Sequence, residues 1–479
     1  MRFILSEVKL IFFLAATIVL FSSSCIIYGQ VKVPEWNIGL NAVGGIGNQA
    51  PFWIISNRQG RFLPEKYAGS MELGLFTYKD TNRIIDYDYG LNLYGRLGEE
   101  NDYWFHQAYA GITLYDFVRL RIGMQEETGE SKEPYLSTGA VMWSGNARPM
   151  PKIEVGTPGY VPVPFTYGYL EMKGLIAHGW FEEGRYASNV LLHQKNAYAR
   201  LGGSLPVRLY YGFNHYAQWA GSSPRQEEPY PSDFKSFVKV FFNRSGDKND
   251  PGTPDGWAIN RFGNSLGSQH YGIDFDIANF NAGIYQQDIF EDGSGMRKQN
   301  FPDGIWGAWL RFPENNRIIQ AFVYEFLHTT NQSGPYHDIE GDTLGGNDNY
   351  FNHGHYSSGW TYHKYTIGTP FITSPLLNDP ASFRIRNNRV IAHHFGFEGY
   401  ITPTVTYRNL ITFSRNFGTY SIPFQERRDQ LSWMLEIAGP INYFNLEASI
   451  TIAADKGEMY GDNAGVLFSI KKNGIFFKK

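Results

Sequence analysis

The stretch Asp86-Tyr87-Asp88-Tyr89-Gly90-Leu91-Asn92-Leu93-Tyr94-Gly95-Arg96-Leu97 alternates in character residue by residue. Tyr87, Tyr89, Leu91, Leu93 and Leu97 fall on one side of an extended chain, and Asp86, Asp88, Asn92, Tyr94 and Arg96 on the other. A period of two is that of a strand with two unlike faces. Charges backed by aliphatic and aromatic groups suit a wall between water and lipid. The same pattern recurs along the chain. Val118, Leu120, Ile122 and Met124 oppose Arg119 and Arg121, and Val207, Leu209, Tyr211 and Phe213 oppose Arg208, Tyr210 and Asn214. Tyr271, Ile273, Phe275 and Ile277 oppose Asp274 and Asp276. Leu431, Trp433, Leu435 and Ile437 oppose Ser432 and Glu436, and Phe444, Leu446, Ala448 and Ile450 oppose Asn445, Glu447 and Ser449. Each segment approaches the roughly 9–11 residues that a tilted strand needs to cross a bilayer.

Composition agrees. Of 479 residues 16% are aromatic, with 32 Tyr, 36 Phe and 52 Gly, a mixture that favours twisted, membrane-edged sheet. Mean hydropathy of −0.35 argues against a bundle of membrane helices. Net charge is −4 with no basic stripe, so nucleic acid is not an expected partner. Residues 1–30 read as a secretory signal: Arg2 and Lys9 supply the positive end and residues 10–21 the apolar core. Cleavage near Tyr28–Gln30 leaves 31–479 as the mature domain and removes Cys25, the one cysteine; lipidation at Cys25 is the alternative. Beyond residue 30 no apolar run reaches the roughly 18 residues of a membrane helix. Only a closed sheet satisfies its backbone in lipid without helices.

The expected fold is therefore all-β: a closed antiparallel transmembrane β-barrel of about 18 strands, with short helical insertions. A soluble sandwich or propeller would put polar groups on most outer faces, and here those faces carry Tyr, Trp, Leu and Phe. Tight joins at residues 279–281, at Gly439-Pro440 and at Pro403 imply hairpins. Four stretches read as irregular: 126–164, 182–206 with a helical candidate at 189–201, 220–267 with a short helix at 233–243, and 327–389. Connections of this length are usually functional or disordered.

The inward charges are mixed. Arg96, Arg119, Arg121 and Arg208 are offset by Asp86, Asp88, Asp274, Asp276, Glu436 and Glu447. Such a set either selects a solute or grips a glycan, or else forms ion pairs that fill the lumen, and the last is the commoner use. The 327–389 stretch gathers His337, His353, His355 and His363 among Asp338, Asp342 and Asp348 without tight ligand spacing, so no metal or other cofactor is expected. It also holds Tyr350, Tyr356, Trp360 and Tyr362. Aromatic faces beside Asp348 and His355 suit sugars, which offer apolar C–H patches ringed by hydroxyls. These six residues are the candidate polysaccharide site; the plainer reading is that the rings pack the loop onto the barrel mouth. No catalytic residue is assigned.

Four segments carry a family resemblance: Pro51-Phe52-Trp53-Ile54-Ile55-Ser56-Asn57-Arg58-Gln59-Gly60; Asn189-Val190-Leu191-Leu192-His193-Gln194-Lys195; Gly212-Phe213-Asn214-His215-Tyr216-Ala217-Gln218-Trp219-Ala220-Gly221; and Phe241-Phe242-Asn243-Arg244-Ser245-Gly246-Asp247. In these the chain resembles the Wzi capsule-assembly family in its Bacteroides-type (Bacteroidetes) form. The resemblance implies an outer-membrane barrel of about 18 strands with added helices on the periplasmic side. It also implies a non-enzymatic, lectin-like role in attaching capsular polysaccharide at the cell surface. The expected partners are that polysaccharide and outer-membrane lipid, with the protein a monomer. A porin or transporter for a small solute is the alternative, and an outer-membrane hydrolase the enzyme alternative. The barrel would end on Phe477, two residues from the C-terminus, as its assembly signal.

Overall fold

The computed structural model describes residues 32–475 except 81–82, 248–250, 255–260, 292, 314–316, 336, 340–341 and 379–380; the signal segment and Phe477 lie outside the described residues. The strands are β1 (Glu35–Ile46), β2 (Tyr67–Phe76), β3 (Ile85–Leu97), β4 (Asp102–Leu114), β5 (Val118–Met124), β6 (Lys152–Gly156), β7 (Val161–Pro162), β8 (Leu170–Trp180), β9 (Leu191–Leu201), β10 (Val207–Trp219), β11 (Asn264–Ile277), β12 (Phe280–Gln287), β13 (Gly304–Arg311) and β14 (Ala321–His328). Two small hairpins follow, β15 (His337–Ile339) with β16 (Asp342–Gly345) and β17 (Thr361–Tyr362) with β18 (Tyr365–Thr366). The wall resumes with β19 (Val390–Thr402), β20 (Val405–Gly418), β21 (Pro423–Ile441), β22 (Leu446–Gly457) and β23 (Asn463–Ile475). Helices α1 (Phe52–Ile55), α2 (Phe234–Phe241) and α3 (Gly293–Met296) interrupt the connections.

Every neighbouring wall pair is antiparallel, and β1 pairs with both β2 and β23, which closes the ring. Because β6 and β7 lie in tandem along β8, the 19-stranded sheet is an 18-strand barrel. The register carries one face all the way round. Leu93 opposite Leu73, Ile122 opposite Ala110, His178 opposite Ile153 and Ile273 opposite Leu209 all point outward. Outward Leu91, Leu93, Leu120, Ile122, Leu209 and Ile284 are exposed, whereas inward Asp86, Asp88, Asn92, Tyr94 and Arg96 are buried, as the alternation at 86–97 predicts. Several inward glycines make room for a ring on the next strand. A methyl carbon at Gly212, Gly272 or Gly307 would lie 2.0, 2.0 or 2.1 Å from Tyr198, Tyr210 or Tyr285, each its cross-strand partner. Such glycine–aromatic pairs pin register in curved sheets.

The connections sort by length. The turns 77–84, 115–117, 202–206, 278–279, 403–404 and 442–445 lie at one end, with both barrel termini. The connections 47–66, 125–151, 220–263, 288–303 and 329–389 lie at the other, which we call the loop end. Barrels of 16–18 strands usually keep a water-filled bore. Here the loops fold back into it. Phe52, Trp53, Ile54, Trp143, Tyr350, Phe351, Trp360 and Phe371 form a hydrophobic core against inward Leu192, Tyr216, Val323, Leu327, Val390 and Met434. The first loop is seated by the last hairpin. The Phe52 amide donates to Asp455 at 2.8 Å across 403 residues of sequence, the Asn48 amide donates to Asn463, and the Phe52 ring stacks on Tyr460.

Several sequence expectations need correction. Residues 189–201 hold no helix: 191–201 are β9, with Gln194, Asn196, Tyr198 and Arg200 inward. Its outward face carries His193 and Lys195 directly after Leu191, and α2 covers them, so apolar alternation is broken where it would have been read. Segment 126–164 contains β6 and β7, and β21 runs through Gly439-Pro440 to turn at Asn442–Phe444. The hairpin assigned to 279–281 turns at Ala278-Asn279 instead. The helix expected at 233–243 is present as α2, capped by Asp233, which accepts from the Ser236 amide. The three described α-helices lie at the loop end, not at the end of short turns.

Candidate functional site

Two features at the loop end carry chemistry: a charged strap inside the barrel and an aromatic patch on top of it. The strap is Gln125-Glu126-Glu127-Thr128-Gly129-Glu130-Ser131-Lys132-Glu133-Pro134-Tyr135. Its charges meet wall charges in sequence order. Glu126 pairs with Arg61 and with His106 on β4 (2.8 Å), and Glu127 with Arg121 on β5 and Lys152 on β6 (2.8 Å). Glu130 pairs with Lys173 on β8, Lys132 with Asp274 on β11 (2.7 Å), and Glu133 with Arg311 on β13. The strap is then tied to β14 and β19: Ser137 Oγ and the Thr138 amide donate to Glu325 at 2.8 and 2.6 Å, and the Leu136 carbonyl lies 2.7 Å from His394 Nε2.

Burial alone would raise the Glu126 carboxyl, but Arg61 and His106 bring it down to about 2. Burial is likewise overcome at Glu127, where Lys152 and Arg121 bring the carboxyl to about 2. Both are held as anions by fixed cations. Below the strap remains a cavity of about 200 Å³, lined among others by Arg121, Glu130, Lys173, Asn196, Tyr216 and His270. Most of the inward charges singled out in the sequence are compensated: Asp88 by Arg119, Asp86 by Lys32, Asp276 by Arg208, and Glu436 by Arg58 and Arg408. The strap acids themselves were missed. The spacing Glu126, Glu127, Glu130, Glu133 in a Gly/Pro-rich loop was their only signal.

On the crown, the rings of Tyr186 and Phe383 stack in parallel, centroids 5.5 Å apart and planes 10° off, and Phe383 is 52% exposed. Exposed Arg384 lies over Phe383, and exposed Arg225 sits against Gly354. Neither arginine has a carboxylate partner among the described residues. All of these groups rest on one turn, 354–358. Ser358 Oγ accepts from the Tyr186 amide (2.9 Å), Ser357 Oγ accepts from Arg384 (3.3 Å), and His355 Nδ1 meets the Tyr230 hydroxyl (2.9 Å). Burial, then the charges of His355 and Arg225, pushes His353 down to about 3. Burial and Arg225 lower His355 as well. The patch therefore owes its positive charge to arginine.

The six residues expected to bind sugar lie beneath this patch. Tyr350, Tyr356, Trp360 and Tyr362 are buried and do not offer the exposed faces anticipated. Tyr350 donates to Asp303, Tyr356 to the Ala220 carbonyl and Trp360 Nε1 to the Met142 carbonyl, while Tyr362 packs edge-on to Phe181. His355 is half-buried on Tyr230, and Asp348 accepts from Ser333. The rings face inward because the loop fills the bore, as the plainer reading had it. Tyr186, Phe383, Arg384 and Arg225 were missed because they come from three separate connections. The side chains of His337, Asp338 and Asp342 lie outside the described residues. Gly263-Asn264-Ser265-Leu266-Gly267 matches the letters G-x-S-x-G, but it opens β11 rather than a strand-to-helix elbow, and the Ser265 hydroxyl has no hydrogen-bond partner.

A closed ring of two-faced strands with long connections at one end and short turns at the other defines an outer-membrane β-barrel, and the outer membrane is where this chain resides. The loop end is then the cell exterior, and Glu35 and Ile475 lie at the periplasmic end. Among solved structures the chain is similar to Wzi of Escherichia coli, an outer-membrane protein involved in group 1 capsule assembly and a carbohydrate-binding β-barrel, with a TM-score of 0.56 and 13% identity over 91% of this chain and 83% of that one. OpdH and OpdQ of Pseudomonas aeruginosa give TM-scores of 0.48 and 0.47, each at 9% identity over 93% of this chain and 98% and 100% of theirs. No protein-family model and no curated protein matches the sequence. The likeness is one of architecture.

Proposed function

We propose that this protein is a non-enzymatic outer-membrane lectin of the Wzi kind, a monomer that grips a capsular polysaccharide at the cell surface and supports capsule assembly. The observation that carries this reading is the stack of exposed Phe383 on half-buried Tyr186, with Arg225 and Arg384 beside it. Ring faces take the apolar side of a sugar, and uncompensated guanidinium groups take hydroxyls or acidic substituents bidentately. A polymer repeats its epitope, so modest contacts per unit add up to firm retention over many copies. Two further points support it: a strap fixed across the bore leaves little passage for a solute, and the barrel from Escherichia coli that shares this architecture is described as carbohydrate binding.

The test is capsule retention in a deletion strain complemented with wild type or with Phe383→Ala/Arg384→Ala. The variant is expected to release capsule into the medium with export intact, and to bind capsular oligosaccharide about tenfold more weakly in detergent. Full retention by the variant would retire the patch, and full retention in the deletion strain would retire the role. Because His353 is pushed down to about 3 and burial lowers His355 below the ordinary histidine value, oligosaccharide binding should show no titration at that ordinary value of 6.5. A titration midpoint near pH 6.5 would assign binding to histidine instead.

A further inference from the structure

The wall is not uniformly greasy on its outer side. Near the exterior rim, cross-strand partners place His178 on β8, His193 and Lys195 on β9 and His215 on β10 in the row that elsewhere meets lipid. His193 and His215 are buried all the same, and none of their ring nitrogens has a hydrogen-bond partner. The cover is α2, folded back over the outside of the barrel. Phe237 packs edge-on to His193 (5.7 Å) and against Trp219 (5.9 Å), Phe241 packs on His193 (5.3 Å), and Lys195 donates to the Phe241 carbonyl.

Exposed on this helix and just past its end are Phe234 at 78%, Phe242 at 59%, Lys235 and Arg244, with Phe234 extending the Phe237–Phe241 row beyond the wall and Arg244 over the Phe242 ring. A second connection repeats the arrangement beside it. Lys298 lies 4.4 Å over outward Tyr271 on β11, and Phe301 packs edge-on to outward Trp306 on β13. This places Lys298 and exposed Phe301 outside the wall too, with exposed Met296 and Arg297 immediately before them in the chain. Arg244 and Arg297 have no carboxylate partner among the described residues. From β8 to β13 the rim therefore wears a collar of apolar side chains interleaved with cations, continuous with the lipid-facing wall.

We propose that this collar is a docking surface for the phosphate-bearing glycolipid of the outer leaflet, with Phe234, Phe242 and Phe301 in the acyl boundary and Arg244 and Arg297 on lipid phosphates. A helix on the outer wall whose exposed residues are aromatic and basic lies at a membrane interface, and cations at that depth recruit anionic headgroups. The neighbouring wall is already in lipid, so the occupant of the collar is lipid as well. The surface is separate from the crown patch, and the inference does not rest on glycan binding.

The experiment uses the full barrel in uncharged detergent, titrated with diphosphoryl lipid A, fully dephosphorylated lipid A, phosphatidylcholine or inorganic phosphate. Retained lipid is counted by native mass spectrometry and unfolding is followed by heat. Diphosphoryl lipid A is expected to be retained and to raise the unfolding temperature, and the other three to do neither. Arg244→Gln with Arg297→Gln should weaken retention by about thirtyfold, about fivefold per charge, with heat-modifiable migration and oligosaccharide binding unchanged. Phe234→Ser with Phe242→Ser should weaken it independently. Equal retention of dephosphorylated lipid A, equal stabilisation by inorganic phosphate, or undiminished retention by the arginine variant would overturn the proposal.

Discussion

Reversing the strap, Glu127→Lys with Glu130→Lys and Glu133→Lys, is expected to raise the conductance of the barrel. Each new lysine faces the cation that held the native acid: Arg121 and Lys152, Lys173, or Arg311. Arg121 and Lys152 are nearly inaccessible and keep only Glu154 between them, so losing Glu127 and gaining a lysine costs roughly 3–5 kcal/mol. The strap leaves the wall, and an 18-strand ring without its filling is wide enough for water. In planar bilayers the variant should carry current at least about tenfold above the wild-type leak. A silent variant would show that the hydrophobic crown alone seals the bore.

Acid should reach the same state in the native protein. Glu126 and Glu127 have carboxyls brought down to about 2 from an ordinary 4.5. A lowered carboxyl stabilises the folded state above its ordinary value, and that contribution is lost as pH falls toward the folded value. Closure is therefore expected from pH 8 to about pH 4, with current appearing only as pH drops from about 4 toward 2. Opening near pH 6 would point to histidine.

The second large effect is at Asp303. Its buried carboxylate accepts from the Asn331 and Gln332 amides at 3.0 and 2.7 Å and from the Tyr350 hydroxyl at 2.8 Å, with His328 Nδ1 at 2.7 Å. Asp303→Ala strands two backbone donors and a hydroxyl in the core, at about 1–3 kcal/mol each. Of these partners only His328, the last residue of β14, belongs to the barrel wall. The expected outcome is a protein that still migrates as a folded barrel but is clipped by protease within 329–389 and loses oligosaccharide binding. Asp303→Asn, which keeps an acceptor, should recover part of the resistance. Intact 329–389 in the alanine variant would show that ring packing alone holds the crown.

The wall was legible because each two-faced strand announces itself within a dozen residues. Asp86–Leu97 needs no knowledge of its neighbours. Strand β9 was not legible, because His193 and Lys195 occupy outward positions under a helix that arrives from another connection. The crown failed for a related reason. Tyr350, Tyr356, Trp360 and Tyr362 have the composition of a sugar site, but a ring beside a carboxylate reads alike whether it faces solvent or fills a bore. The stacked pair, Tyr186 with Phe383, is nearly two hundred positions apart in the chain (186 against 383) and has no shared motif to betray it. The ion pairing of the lumen was anticipated in kind, but its partners come largely from the strap, which linear order hides.

The bond from the Phe52 amide to Asp455, with Tyr460 stacked on the Phe52 ring, sets an order of construction. The opening loop emerges early and finds no seat until the final hairpin has been laid down beside the first strand. Sealing the seam and stoppering the mouth are thus one event. A chain that loses its last two strands during biogenesis would leave both a frayed edge and an open throat, the kind of stalled product that periplasmic quality control can recognise and remove.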